Sequence, residues 1–187
     1  MDEESLRAIT IGELKPYATK IVIEDHNPAW PAWFEWDRTR IEAALGQTAL
    51  SVEHAGSTSV PGLPAKPIID ILPQVEDTTN EQSYVRALEA AGYVLRVREP
   101  EWLEHRLFCR RAAPHDVNLH VFSPQHAATE ITRMLGFRDW LRTHSEDRNH
   151  YAETKRELST REWRYVQDYA EAKTAVVEAI LAKALLP

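Results

Sequence analysis

The chain is poor in cysteine and glycine and has no long hydrophobic run. One cysteine, Cys109, stands among 187 residues. That excludes an intramolecular disulfide framework and a cysteine-built zinc site, and the residue reads as a small buried hydrophobe. No apolar run approaches the ~20 residues of a membrane-spanning helix, so no membrane role is expected. The acidic start, Met1-Asp-Glu-Glu-Ser, lacks the apolar core of a secretory signal, and a cytoplasmic protein is expected. Basic residues are outnumbered: 22 Lys and Arg against 29 Asp and Glu give a net charge of −7. General nucleic-acid binding, which needs a broad basic surface, is not expected. Repeats and Gly/Ser linkers are also missing. The chain therefore reads as an N-terminal extension, 1–20, and a single domain, 21–187.

What is present is an alternation of helix and strand signals. Ile21-Val22-Ile23 is a β-branched run that predicts an edge strand. Asn27-Pro28 opens a helix whose stripe is Trp30, Phe34, Ile41 and Leu45, widened by Trp33 and Trp36 and ended by Gly46. Ala49–His54 alternates as a strand does. Ile68–Leu72 is a compact apolar run, a buried strand with one acid inside it. Asn80 predicts a capped helix reaching Ala91. Tyr93–Val97, Glu104–Arg110 and Val117–Phe122 read as strands, the last two an antiparallel pair turning within Arg110–His115. Three helices follow, over Ala127–Thr143, Asp147–Ser159 and Tyr165–Leu186. The expected class is α+β: a mixed sheet flanked by helices, with a helical C-terminal part.

The segment His54-Ala-Gly-Ser-Thr-Ser-Val-Pro-Gly-Leu-Pro-Ala-Lys-Pro-Ile-Ile-Asp70 holds most of the chemistry. Gly56 after a strand lets the backbone approach a ligand closely. Ser57, Thr58 and Ser59 offer hydroxyls and amides to phosphate oxygens. Lys66 can neutralise phosphate charge. Asp70 inside an apolar strand demands a partner, a ligand or a metal. The segment is neither a Walker A loop nor a Gly-x-Ser-x-Gly elbow, and the chain has no His-Glu-x-x-His.

These residues carry a family resemblance. Asn27-Pro-Ala-Trp-Pro-Ala-Trp-Phe34, Glu53-His-Ala-Gly-Ser-Thr-Ser-Val-Pro-Gly-Leu63, Ala65-Lys-Pro-Ile-Ile-Asp-Ile71, Glu104-His-Arg-Leu-Phe108 and Asn118-Leu-His-Val121 resemble the GrpB family. Phe137-Arg-Asp-Trp-Leu-Arg142, Tyr151 with Lys155, and Tyr169 with Lys173 extend the match, which spans roughly 21–182. The resemblance implies a nucleotidyltransferase-like fold, with a Gly-Ser turn after one strand, paired acids on the next and a third acid on a later strand, all holding Mg²⁺. Here Gly56-Ser57 and Asp70 match. Leu72 stands at the second acid position, and Asn118 and His120 at the third.

The expected function is binding of a nucleoside triphosphate or another small phosphorylated ligand, with Mg²⁺ or Mn²⁺, and transfer of a nucleotidyl group to an unknown acceptor. Asp70, His54 and His120 are the candidate catalytic groups. Gly56, Ser57, Thr58, Ser59, Lys66, Arg106, Arg138, Lys155 and Lys173 are the candidate phosphate and nucleotide contacts. Asp70, His105 and His120 are the candidate metal ligands. Two other readings stay open. One is a non-catalytic binding module, coenzyme A-related because similar domains occur fused to dephospho-CoA kinase. The other is a metal-dependent hydrolase built on His54, His105 and His120.

Overall fold

The computed structural model describes residues 2–14 and 20–185. In chain order the elements are α1 (Glu3–Ile9), α2 (Trp30–Leu45), β1 (Ala49–Ala55), β2 (Ile68–Val75), α3 (Val85–Ala90) and β3 (Val94–Glu99). Then come β4 (His105–Ala112), β5 (His115–Val121), α4 (Pro124–Thr143), α5 (Ser145–Ser159), α6 (Val166–Glu171) and α7 (Thr174–Ala184). The strands form one mixed sheet in the order β1-β2-β5-β4-β3. β2 and β5 run parallel, and the other neighbours run antiparallel. The α+β class and mixed sheet expected from the sequence are present.

The two faces of the sheet do different work. Alternation sends Ile69, Ile71, Val117, Leu119 and Phe108 to one face, where they pack on Trp30, Phe34 and Ile41 of α2 and Leu88 of α3. Asn27 Oδ1 accepts from the Ala29 amide at 2.9 Å and so fixes the entry to α2. Asp70, Leu72, Asn118, His120, Leu107 and Cys109 point to the other face, by the registers Asp70↔Asn118, Leu107↔His120 and Cys109↔Asn118. There α4 covers only one end, closing Leu72 in with Ala55, Phe122, Ala127 and Ile131. α5 and α7 pack Tyr151, Ala152, Val176 and Ile180 on Val60 and Leu63 of the loop after β1. The C-terminal helices are thereby clamped onto the Gly56–Ser59 turn.

Several local expectations are corrected. Ile21–Ile23 forms no strand. Ile21 is drawn instead into a cluster with Leu158 and Tyr169, and only Glu24 pairs, with Ala65. The extension holds a helix, α1, whose Leu6 is buried, and Thr10 then bridges to Val97. Past Asn80 the chain makes a 3-10 turn over Glu81–Ser83, and only Val85–Ala90 is α-helical. Burial of Tyr84, whose hydroxyl donates to Thr78 O at 2.7 Å, breaks the run. The helix expected over Tyr165–Leu186 is two helices, α6 and α7. The break lets Tyr169 pack toward Ile21 while Val176 and Ile180 pack toward Leu63. Leu186 lies outside the described residues.

Candidate functional site

β1 ends in Ala55, which pairs with Asp70 on β2. The next residue, Gly56, has φ 62°, a conformation that favours glycine. A Cβ there would stand 2.9 Å from Asp70 Cβ and 3.0 Å from Asp70 Cγ. The Gly-Ser turn and the half-buried acid thus meet because position 56 has no side chain. The 3-10 turn Ser57–Ser59 follows, and its first amides have no acceptor within the turn. Ser59 donates its hydroxyl to Gly56 O at 2.6 Å, and Thr58 Oγ1 lies 3.1 Å from His54 Nε2. Ser57 is the turn's hydroxyl on the wall of a cavity of about 280 Å³ that Tyr151, Lys173 and Arg138 also line.

Asp70 anchors a polar chain across four strands. Asn118 Nδ2 donates to Asp70 Oδ1 at 2.9 Å, and Arg111 donates to Asn118 Oδ1 at 2.6 Å, which fixes the amide orientation. His120 Nε2 is 3.8 Å from Asp70 Oδ1. His120 Nδ1 meets His105 Nε2 at 3.2 Å, and His105 Nδ1 meets Glu99 Oε2 at 2.6 Å. A carboxylate at the far end sets the proton order: His105 donates to Glu99 and accepts from His120. Burial pushes His105 down to about 4, against the pull of Glu99. Burial also works to raise Asp70. His120, Asn118 and Lys66 outweigh it and hold the carboxyl below its ordinary value.

Three lysines gather beside this acid. Lys155, 2% exposed, donates from Nζ to Ser57 Oγ at 3.0 Å and also to Pro64 O. Its Nζ lies 4.6 Å from the Tyr151 ring centre. Lys173 and Lys66 share the Tyr169 ring, at 4.6 and 5.5 Å from its centre. Among the described residues none of the three ammonium groups has a carboxylate within ion-pairing distance. Burial lowers all three: Lys66 to about 8 and Lys155 to about 6, each helped by the charge of Lys173, and Lys173 downward through burial alone, with Asp70 opposing. Lys66 and Asn118 face a second cleft of about 520 Å³, with Arg111 and Tyr165.

The structure therefore brings together Asp70, Gly56, Ser57, Lys66, Lys155, Lys173, His120 and His105. Arg138 joins the cavity wall while binding Glu53 and the His54 carbonyl. Two candidates are placed elsewhere. His54 shares its register with Ile71 and so faces α2, stacked on Phe34 at 4.5 Å. Burial pushes it down to about 4. Arg106 points to the same far face, held by Glu81 at 2.7 Å and by Glu104. Cys109 is half-buried on the cleft wall rather than sealed in the core.

The donor set does not fit a metal ion. Among the described residues Asp70 is the one carboxylate against the Gly56 turn, and its Oδ1 is already engaged by Asn118 and His120. Asn118 offers N–H rather than oxygen, Leu72 is fully buried under α4, and lysine charge surrounds the acid. His105 and His120 spend nitrogens on each other. Among the described residues no three His, Cys, Asp or Glu side chains are placed to hold a cation. Mg²⁺ wants several oxygen donors, and cationic neighbours oppose it.

Some participants were not singled out from sequence. Glu99 and Arg111 act across strands and leave no local signal. Tyr151 and Tyr169, by contrast, were marked in the sequence, each preceding a lysine by four residues.

Comparison with known proteins decides the family. The family model described as GrpB protein matches residues 20–183. The chain belongs to the GrpB family. A UPF0157 protein of Halalkalibacterium halodurans is 52% identical over 182 residues, covering 97% of this chain and 91% of that protein. The crystal structure of the conserved protein GrpB from Enterococcus faecalis superposes with a TM-score of 0.74 at 29% identity, over 88% of this chain and 97% of that one. A GrpB-like segment also occurs in a dephospho-CoA kinase of Mycolicibacterium paratuberculosis, 43% identical over 70 residues, which is 36% of this chain and 17% of that protein. In this GrpB protein, no helix among the described residues is long and apolar enough to cross a membrane.

Proposed function

We propose that this protein binds a small phosphorylated ligand, of nucleotide or pyrophosphate type, at the Gly56–Ser59 turn, with lysine ammonium groups in place of a metal ion. The observation that carries this reading is the convergence of Lys66 and Lys173 on the Tyr169 ring, with Lys173 on the same cavity wall as Ser57 and no carboxylate paired to either lysine among the described residues. Charge left unpaired in a half-buried site is costly unless a ligand supplies the opposite sign. Asp70 offsets part of it, and a phosphate would supply the rest. Turn amides would receive phosphate oxygens, as such turns commonly do. The Gly-Ser turn beside one acid is the part of the nucleotidyltransferase pattern that supports transfer as a reaction class. Positioning and charge neutralisation would supply most of any rate.

A second reading concerns which ligand. The shared segment with proteins named dephospho-CoA kinase favours a pyrophosphate-bearing coenzyme A precursor, in a binding module rather than a transferase. Thermal unfolding with pyrophosphate, ATP or dephospho-coenzyme A, in EDTA and again in Mg²⁺, tests both. Stabilisation in EDTA is expected, since ligand at ~100 times Kd adds ~2.7 kcal/mol. Stabilisation that appears only with Mg²⁺ would contradict the metal-free reading. A response confined to dephospho-coenzyme A would select the module.

A further inference from the structure

Lys155 is not used by the binding reading. It lines neither cavity and sits sealed behind Ser57, its Nζ 3.0 Å from Ser57 Oγ. The other hydroxyls of the turn are tied to Gly56 O and to His54, so Ser57 alone presents its oxygen to the cavity. Tyr151, one helical turn before Lys155 on α5, adds a third group. Burial pushes its hydroxyl up to about 12, against hydrogen bonding with Ser57. Pro64 O accepts one Lys155 N–H and so aims the remaining valences of Nζ at Ser57.

We infer that Ser57 is a nucleophile activated by Lys155, a serine–lysine pair on the wall of a cavity that Tyr151 also lines. Neutral Lys155 Nζ takes the Ser57 Oγ proton. Oγ then forms a bond to the phosphorus of a phosphoanhydride, the bond from phosphorus to the leaving oxygen breaks, and that oxygen keeps the electron pair. Lys173 faces the departing negative charge. An acceptor hydroxyl, from water or an alcohol, then attacks the Ser57 phosphoester. Lys155 returns its proton to Ser57 Oγ as that oxygen leaves phosphorus, and the neutral amine then takes the acceptor's proton and passes it to solvent. The phosphorylated substrate class rests on the proposed function, whereas the nucleophile rests on the Ser57–Lys155 geometry alone. The groups facing Lys155 are Lys173, Arg156, Asp70 and Tyr151, and burial with the first two favours the neutral amine that the step needs.

A neutral fluorophosphonate tests the pair without involving the phosphate site. Oγ attack on phosphorus expels fluoride and leaves a stable adduct, located by peptide mass spectrometry. The native protein should be modified at Ser57, at a rate rising between pH 5 and 8. Ser57→Ala should lose the adduct, and Lys155→Met should slow it by about 100-fold, the lower range of general-base assistance. Lys155→Arg, which keeps a positive charge but cannot accept the proton, should be as slow as Lys155→Met. An adduct on another residue would overturn the inference. So would Ser57 reacting no faster than in urea-unfolded protein, a result that needs no variant to fold. Pyrophosphate binding measured on the same sample tells this failure from failure of the binding reading.

Discussion

Gly56 brings its Cα against the Asp70 carboxylate, and nothing larger fits at that backbone angle. Gly56→Ala should cost about 1–3 kcal/mol of stability through strain at positive φ, read by chemical denaturation, and should abolish pyrophosphate binding. A fully stable variant that still binds would refute the claimed contact. His54 and His105 give a second prediction. Both are held neutral, at about 4, against an ordinary value of 6.5. A depressed histidine means that the unfolded chain takes up protons first, so stability is complete above pH 6.5 and falls as pH drops toward 4. His54→Gln should flatten that acid limb in melts recorded from pH 7 to 4. An unchanged slope would show that His54 contributes nothing to it. Lys155 acts over a higher window. Its lowered value destabilises the fold below about pH 6, and the penalty lifts as pH rises toward 10.5. At this scale much was legible. Asp70 in an apolar run and Gly56 after a strand both announced themselves. The facing of His54 and Arg106 did not, because it depends on strand register, and one residue of register reverses a side chain.

At the scale of elements, β2 and β5 decide what kind of ligand the site takes. Their parallel register sets Asn118 beside Asp70 where a second acid would serve a metal. Asn118→Asp should therefore create a Mg²⁺-dependent rise in melting temperature that the native protein lacks. A native protein already stabilised by Mg²⁺ alone would contradict this. Position 72 is different in kind. Leu72 lies fully buried under Ala127 and Ile131 of α4, so Leu72→Asp should destabilise by roughly 3–5 kcal/mol, the usual penalty for an uncompensated buried charge. Urea titration reads that loss, and a change below 1 kcal/mol would mean that α4 does not cover the position. The strands were readable because their hydrophobic alternation is local. The end of β1 at the turn was readable too, since glycine marks it. The split between α6 and α7 was not, because one apolar period runs through both and only the packing of Tyr169 against Ile21 bends the chain between them.

Over the whole molecule, the sheet separates stability from chemistry. One face is sealed by α2 and α3 around Trp30, Phe34 and Ile41, and the other is left polar under helices that arrive late in the chain. Those helices bring Lys155 and Lys173 to a turn formed about a hundred residues earlier, since Lys155 reaches Ser57 across 98 positions. No local pattern reports such a meeting, which is why the lysines were legible as candidates and their convergence was not. The mixed α+β class was legible, because it follows from element order. The central claim is that lysine charge, not a cation, receives the ligand's phosphate. Isothermal titration of pyrophosphate into the native protein in excess EDTA tests it most directly. The account predicts saturable one-site binding that Lys66→Met weakens and the double variant Lys66→Met, Lys173→Met removes. Absence of binding in EDTA, restored by Mg²⁺, would contradict it.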